Sequence, residues 1–413
     1  MVMQYYAGLD WGERHHDLAV IDDAGRLVTH MRLTDDAEGL ASLLAALTAT
    51  KRNRRTIPIG IETGRGLIVA GLQRAGQPIV VLNPSQVANY RSRLATQRKK
   101  SDRTDARLLA HILRVDGDAH RHPPNDSPQV IALRELTRAH RRALRTSGHL
   151  ARQLRSLLRD YYPAAATAWA HLPGALTRPE ARAVLTAAPT PARAARLTHR
   201  RLEQLLSSAG RTRLVTAEAT RLHHLFHRTV LRQPALIEEA MGRQAIALLA
   251  QLDAAVTATD TLWTHIEAAA EQHPQTRIYR SFPGMGPMLA ARLLGELGDD
   301  PQRFPGARNL RAFCAATPIT WASGTTHKVS HRRKANPILA ETGHIWAFAA
   351  LTRSPGARAL YDGRRAAGDR HPAALRRLYA RLLGCLHYCL RTDTLYQETR
   401  AFPPHPGRDP DPE

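Results

Sequence analysis

Cysteine is scarce, with three in 413 residues. That number cannot build a disulfide framework, and it fits a reducing cytoplasm. Aromatic residues make up 5%, which argues against a stacking platform for single strands as the main module. No apolar run reaches transmembrane length. Met1 to Asp10 lacks a charged segment followed by a signal-peptide core, so neither a membrane nor a secreted protein is expected. Acids are also few beside cations: 36 Asp and Glu against 59 Lys and Arg, a formal charge of +23. Such an excess exceeds the needs of an ordinary metabolic enzyme and points to a polyanionic partner, most simply nucleic acid. Hydrophobic residues, at 43%, exclude wholesale disorder. At roughly 150 residues per domain the length suggests two or three domains.

The N-terminal stretch reads as three strands, over 2–9, 16–21 and 26–33, with the turn Asp22-Asp23-Ala24-Gly25 between the second and third. A helical period follows over 35–48. Strands then alternate with helices: strands at 56–62 and 78–82, helices at 66–75, 85–94 and 101–115. That succession predicts a mixed α/β sheet in a domain spanning 1–118. The polar, proline-rich AHRHPPNDSP at 119–128 marks a boundary.

Residues 128–275 are expected to be a helical coiled-coil and insertion region. Leu133, Leu136, His140, Ala143, Ser147, Leu150, Leu154, Leu157 and Tyr161 alternate by three and four, as a coiled-coil seam does. Ala245, Leu249, Leu252, Val256, Thr259, Trp263, Ile266 and Ala270 form a second such series. The two seams have the means to pair with each other or with a second protomer. Between them, 163–232 reads as short helices. A third, mainly helical unit covers 276–400, and 401–413 is expected to be a disordered tail.

Four acids stand out in the first domain. Asp10 ends an apolar strand (YYAGLD) and Glu62 ends another (IGIE). Asp102 and Asp105, in KKSDRTDARLLA, lie three apart and so share a helical face. Carboxylates gathered from strand ends and a nearby helix suit Mg²⁺, which takes hard oxygen ligands and leaves room for phosphate oxygens. Two ions would clamp the attacking and leaving oxygens of a phosphodiester. Each acid alone also has a structural role open to it, as a cap or turn residue. The run Arg98-Lys99-Lys100 just before the acidic pair has the charge to hold a phosphate backbone.

In the third unit, SFPGMGP opens a helix, and Gly284 and Gly286 would let backbone N–H groups approach a phosphate without reading sequence. Downstream, Ser323-Gly324-Thr325 forms a short polar turn followed by Lys328, His331, Arg332, Arg333 and Lys334. A serine there has the chemistry to attack a phosphodiester and conserve the bond as a phosphoserine link. The cations would offset transition-state charge. Cys385 and Cys389 share a helical face while His387 points away, so buried thiols are expected rather than a metal site.

These blocks resemble the IS110 insertion-sequence transposases, also called DEDD transposases or bridge-RNA recombinases. The match runs through GLDWGERHHDLAVIDDAGRLV, IGIETG, VVLNPSQVANYR and KSDRTDARLLA, then FPGMGPMLAARLLGELGD and LRAFCAATPITWASGTTHKVSHRRKANPIL. The resemblance implies a RuvC-like, RNase H-type N-terminal domain whose acidic tetrad is Asp10, Glu62, Asp102 and Asp105, with Mg²⁺ bound there. It implies a helical C-terminal domain whose nucleophile is Ser323. It further implies donor and target DNA as substrates and a non-coding bridge RNA as guide. Homodimers assembling to tetramers would share active sites between protomers through the coiled coil, in the bacterial cytoplasm beside the nucleoid. A RuvC-like Mg²⁺ nuclease acting on branched DNA and a non-catalytic nucleic-acid scaffold are the alternatives.

Overall fold

The computed structural model describes residues 3–12, 14–94, 102–120, 122–324, 326–332 and 336–403. The side chains of Leu94, Asp102, Thr320, Trp321, Thr326–Val329 and His331 lie outside that description. The chain divides into two compact units, Met1–Asn125 and Asp126–Glu413.

In the first unit, β1 (Tyr5–Trp11), β2 (His15–Asp22) and β3 (Leu27–Thr34) form an antiparallel meander. The β2–β3 turn is closed by Asp22, whose carboxylate accepts from the Arg26 backbone N–H at 2.8 Å and from its Nε at 2.8 Å. After α1 (Ala37–Thr50), capped by Asp36 at Gly39 N, the chain adds β4 (Ile59–Ile61) parallel to β1. It then runs through α2 (Leu67–Arg74) to β5 (Ile79–Val81), parallel to β4. The sheet order is β3-β2-β1-β4-β5. Two further helices, α3 (Pro84–Leu94) and α4 (Asp102–Asp116), complete the unit.

Period-two alternation sends alternate residues to opposite faces of the sheet. Ala7, Leu9, Leu18 and Val20 pack with Leu43 and Leu47 of α1 and Ile68 and Leu72 of α2 on one face. Leu109, Ile112 and Leu113 of α4 join Val80 and Leu82 in a second cluster. The expected mixed α/β sheet is present, with element ends shifted by a few residues. The strand expected over 56–62 is shorter, because residues 54–56 form a single 3-10 turn first.

The second unit opens with α5 (Pro128–Tyr161), whose N-cap Ser127 accepts from Val130 N. A cluster of short helices follows: α6 (Pro163–Ala168), α7 (Pro179–Ala187), α8 (Pro191–Ala194), α9 (His199–Ser208) and α10 (Val215–Phe226). The second long helix, α11 (Ala235–Glu271), packs on α5. Both seams are therefore used within one chain. Leu150, Leu154 and Leu157 meet Ala245, Leu249 and Leu252 in one core, together with Tyr162, Trp169, Leu202 and Leu222. At the other end Val130 and Leu133 join Ile266 and Ala270 in a different core. By length and composition α11 is apolar enough to cross a membrane, which the search for apolar runs in the sequence did not anticipate. One stripe of α11 packs against α5, with Ala245, Leu249, Leu252, Ile266 and Ala270 buried, while most of its remaining residues are exposed or half-buried.

That second core is built on α12 (Thr276–Arg280), α13 (Pro287–Leu297), α14 (Ala307–Phe313), α15 (Pro337–Ala350), α16 (Pro355–Ala366), α17 (His371–Thr392) and α18 (Glu398–Ala401). Between α14 and α15 lies a two-stranded antiparallel hairpin, β6 (Pro318–Ser323) and β7 (Thr326–His331), in a stretch expected to be mainly helical. The first residues of the expected disordered tail, 401–403, are placed. Ala401 is buried, and Phe402 packs on the core with the Arg381 guanidinium 5.9 Å from its ring centre. The rest of that tail, from residue 404, lies outside the described residues.

Candidate active site

Strand register sets the acidic cavity. Asp10 pairs across with Asp17, and Leu9 pairs with Ile61, so Glu62 leaves β4 at the same end of the sheet as Asp10. Helix α4 delivers Asp105. It lies against β1 because residue 8 is glycine: a Cβ there would collide with the backbone of Ala106 and Ala110. Glycine inside a strand weakens pairing, and close backbone approach is a recognised reason to keep it. Asp10, Glu62 and Asp105 thereby line one cavity of about 390 Å³, with Trp11, His15, Asp17 and Arg91 also on its wall. Asp102 opens α4, one turn before Asp105; its side chain lies outside the described residues.

The carboxylates differ in their partners. Asp105 is buried and accepts from Arg91 Nε of α3 at 3.0 Å, with Nη2 also 3.0 Å away. Asp17 is buried too. It accepts from Arg32 Nη2 at 2.9 Å and Nε at 3.1 Å, and His30 Nε2 lies 3.2 Å from its other oxygen. Among the described residues no group of three or more His, Cys, Asp or Glu side chains is already arranged to hold a metal ion. The donor set nevertheless fits a hard divalent cation in kind, since carboxylate oxygens are what such ions take. Arg91 is the competitor that an ion at Asp105 would have to displace.

Reading the sequence singled out neither Asp17 nor Arg91. Asp17 was legible in principle, because a tight β1–β2 connection puts position 17 opposite position 10. Arg91 becomes a neighbour only once α3 and α4 have packed.

In the second unit Ser323 ends β6, pairs with Thr326 and is exposed, with Gly324 following at φ 53°. Arg332 lies just past β7. Its Nε is buried without a hydrogen-bond partner, and it lines a cavity of about 200 Å³ with His344 and Arg376. The Lys328 side chain, Arg333 and Lys334 lie outside the described residues, as do Arg98, Lys99 and Lys100.

The two glycines before α13 diverge. Gly284 is packed: a Cβ would come 2.6 Å from the Ala349 carbonyl carbon and Ala350 N, and Trp346 Nε1 donates to Pro283 O at 3.1 Å. Gly286 is exposed at the N-cap of α13 with open space around it. Cys314 and Cys389 are buried, Cys385 is half-buried, and His387 contacts Phe304 O at 3.0 Å.

The base of α5 is fastened to the helix that follows the hairpin. Arg138 donates to both oxygens of Glu296, at 2.6 and 2.8 Å, and Asn336 Nδ2 donates to the same carboxylate at 2.6 Å while its Oδ1 caps α15 at Ile338 N. Burial works to raise the Glu296 carboxyl, but these hydrogen bonds outweigh it and hold it below the usual glutamate range.

Comparison with known proteins fixes the family. A model for DEDD transposases of the IS110 type, described as "Transposase", matches residues 7–163. A second, described as "Transposase IS116/IS110/IS902 family", matches 276–362. The "Mini-circle putative transposase for IS117" of Streptomyces coelicolor is 47% identical over 400 residues, 97% of each chain. The chain belongs to the IS110 family of insertion-sequence transposases. More distant members of that family align over nearly their whole length. The IS900 uncharacterized 42 kDa protein of Mycobacterium paratuberculosis is 26% identical, covering 96% of this chain and 98% of its own. The IS116 uncharacterized 44.8 kDa protein of Streptomyces clavuligerus is 26% identical, covering 95% and 96%. As an IS110 transposase the protein is an enzyme of DNA transposition, and its DEDD class implies an acidic site dependent on a divalent metal. The first matched segment contains Asp10, Glu62, Asp102 and Asp105; the second contains Ser323.

Proposed function

We propose that this transposase cuts and rejoins DNA through a covalent link between Ser323 and a backbone phosphate. The serine Oγ forms a bond to phosphorus as the bond from phosphorus to one deoxyribose oxygen breaks. The serine proton ends on that departing oxygen, which leaves as a hydroxyl. A hydroxyl of the incoming strand then reverses the step and frees Ser323, so no external energy source is needed.

Asp10, Glu62, Asp102 and Asp105 hold Mg²⁺, two ions in this reading, which would stabilise charge on the phosphoryl oxygens. Lys328, Arg332, Arg333 and Lys334 neutralise the strand near the serine, and Arg98, Lys99, Lys100 and Gly286 contact backbone phosphates, whereas Gly284, packed against α15, is withdrawn from that role. The observation that carries the reading is the shared cavity of Asp10, Glu62 and Asp105, three acids far apart in sequence. The exposure of Ser323 supports the other half. Target and donor are selected by a bridge RNA from the element's own flank, and the active form is a dimer assembling to a tetramer, working in the bacterial cytoplasm at the nucleoid. Support for these last points comes from family resemblance and the net charge of +23.

Denaturing gels of protein incubated with its element-end DNA test the chemistry. Wild type should show a protein–DNA adduct, and Ser323→Ala none. Adducts surviving in Ser323→Ala would remove the nucleophile assignment. Sequencing RNA that co-purifies from cells carrying the flanking DNA tests the guide; recovery of no element-derived RNA would remove it.

A further inference from the structure

Away from both the acids and the serine, the C-terminal core carries a cavity of about 340 Å³ between α14, α17 and the segment leading into α18. Three arginines line it: Arg311, Arg381 and Arg400. Among the described residues no carboxylate does. The nearby acid Glu398 is already engaged, accepting from Ser354 Oγ at 2.7 Å, Gly356 N at 2.9 Å and Tyr396 Oη at 2.6 Å. Arg381 is turned to the chain itself, donating from Nε to Ala401 O at 2.8 Å. Among the described residues Arg400 donates to the Tyr388 hydroxyl, at 3.3 Å. Arg311 Nε is buried with no hydrogen-bond partner.

The room for Arg311 comes from Gly384 in the interior of α17, where a Cβ would collide with Nη2. Glycine inside a helix costs about 1 kcal/mol relative to alanine. Here it seats a guanidinium with no carboxylate partner among the described residues. The remaining wall is apolar or aromatic, with Leu395 and Tyr388 each about half exposed. Cations beside an exposed aromatic face suit a phosphate joined to a planar base. A volume at the lower end of ligand pockets, ~300 Å³ upward, admits one such unit and excludes a duplex.

We propose that this cavity captures a single unstacked nucleotide of a nucleic-acid strand, its phosphate on Arg311 and Arg400 and its base on Tyr388. The proposal does not depend on the serine or the acidic tetrad.

Cys385, half-buried on the cavity wall, is a built-in reporter. The full-length protein is treated with a maleimide, and labelling at Cys385 is followed by mass spectrometry. Four competitors are compared: a short single-stranded oligonucleotide, its duplex, the matching mononucleotide and inorganic phosphate. The single strand should slow Cys385 labelling, and the mononucleotide should do so only at much higher concentration. Duplex and phosphate should leave it nearly unchanged. Tyr388→Ala, at an exposed position, should weaken protection about tenfold, and Arg311→Gln with Arg400→Gln should abolish it at an unchanged melting temperature. Equal protection by phosphate would overturn the base contact, and equal potency of the mononucleotide would overturn the strand as source. Protection that persists in the double arginine variant, or protection by no competitor, would overturn the pocket. Adduct formation by Ser323 is read separately, so the two readings fail independently.

Discussion

In the first unit the carboxylates sit where β1, β4 and α4 converge, with Asp105 buried and held by Arg91. In the second, Ser323 closes a two-stranded hairpin and faces solvent. The acids are fixed by packing: a glycine brings α4 onto the sheet, and the sheet register brings two strand ends together. The serine is presented rather than packed. That difference suits the proposed roles: acids that share an ion need mutual distances set by a core, and a serine that attacks a large polymer needs access.

The contrast predicts that substitutions will divide between activity and folding. The largest effect is expected for Asp105→Asn, which should lower transposition by ~10³-fold, since an ion's charge stabilisation is worth several kcal/mol and each 1.4 kcal/mol is tenfold. DNA affinity should stay within about twofold; a large loss of affinity in filter binding would show that Asp105 does something other than catalysis. Next comes Gly8→Ala. Its added methyl has no space beside Ala106, so denaturant unfolding of the first unit should show a loss of about 3 kcal/mol. A neutral result would mean that α4 does not need that approach. Ser323→Ala, by contrast, should change stability by less than about 0.5 kcal/mol, as exposed substitutions do.

A smaller effect concerns pH. Because Glu296 titrates lower in the folded state than when unfolded, its contribution is complete above the unfolded value near 4.5 and is lost as pH falls through the folded one. Glu296→Gln should therefore flatten the acid limb of stability below about pH 4.5, measured by thermal melts across pH. An unchanged slope would remove Glu296 as its source. A few-fold change in metal binding is expected from Arg91→Gln. Freed of its partner, the Asp105 side of the cavity should bind Mn²⁺ a few-fold more tightly by spin-resonance titration, since the Arg91 side of the pair is open to water and such pairs are worth about 1 kcal/mol. Weaker binding would mean that Arg91 orients the carboxylate instead of competing for it.

Much of this was legible beforehand. The meander and the alternating helices showed in period and turn chemistry, and Asp10 and Glu62 were placed at strand ends because apolar runs stop there. The two seams showed as alternating spacings, although spacing alone did not say that α5 and α11 pair within the chain. The β6–β7 hairpin is not legible in the local pattern. PITWAS and THKVSH are short, and their neighbours on both sides are helical, so local pattern gave little contrast. Arg91 at Asp105 and Arg311 on Gly384 are products of tertiary packing between distant helices, and no local rule encodes them. Gly284 read as an open phosphate loop, yet the neighbouring α15 fills the space beside it.

One feature of the second unit sets a length. Val130 is anchored in one core and Leu157 in the other, and a straight helix rises about 40 Å between them at 1.5 Å per residue. The α5–α11 pair thus fixes the spacing of the two cores in the second unit, and deleting one heptad from both helices would draw those cores about 10 Å closer.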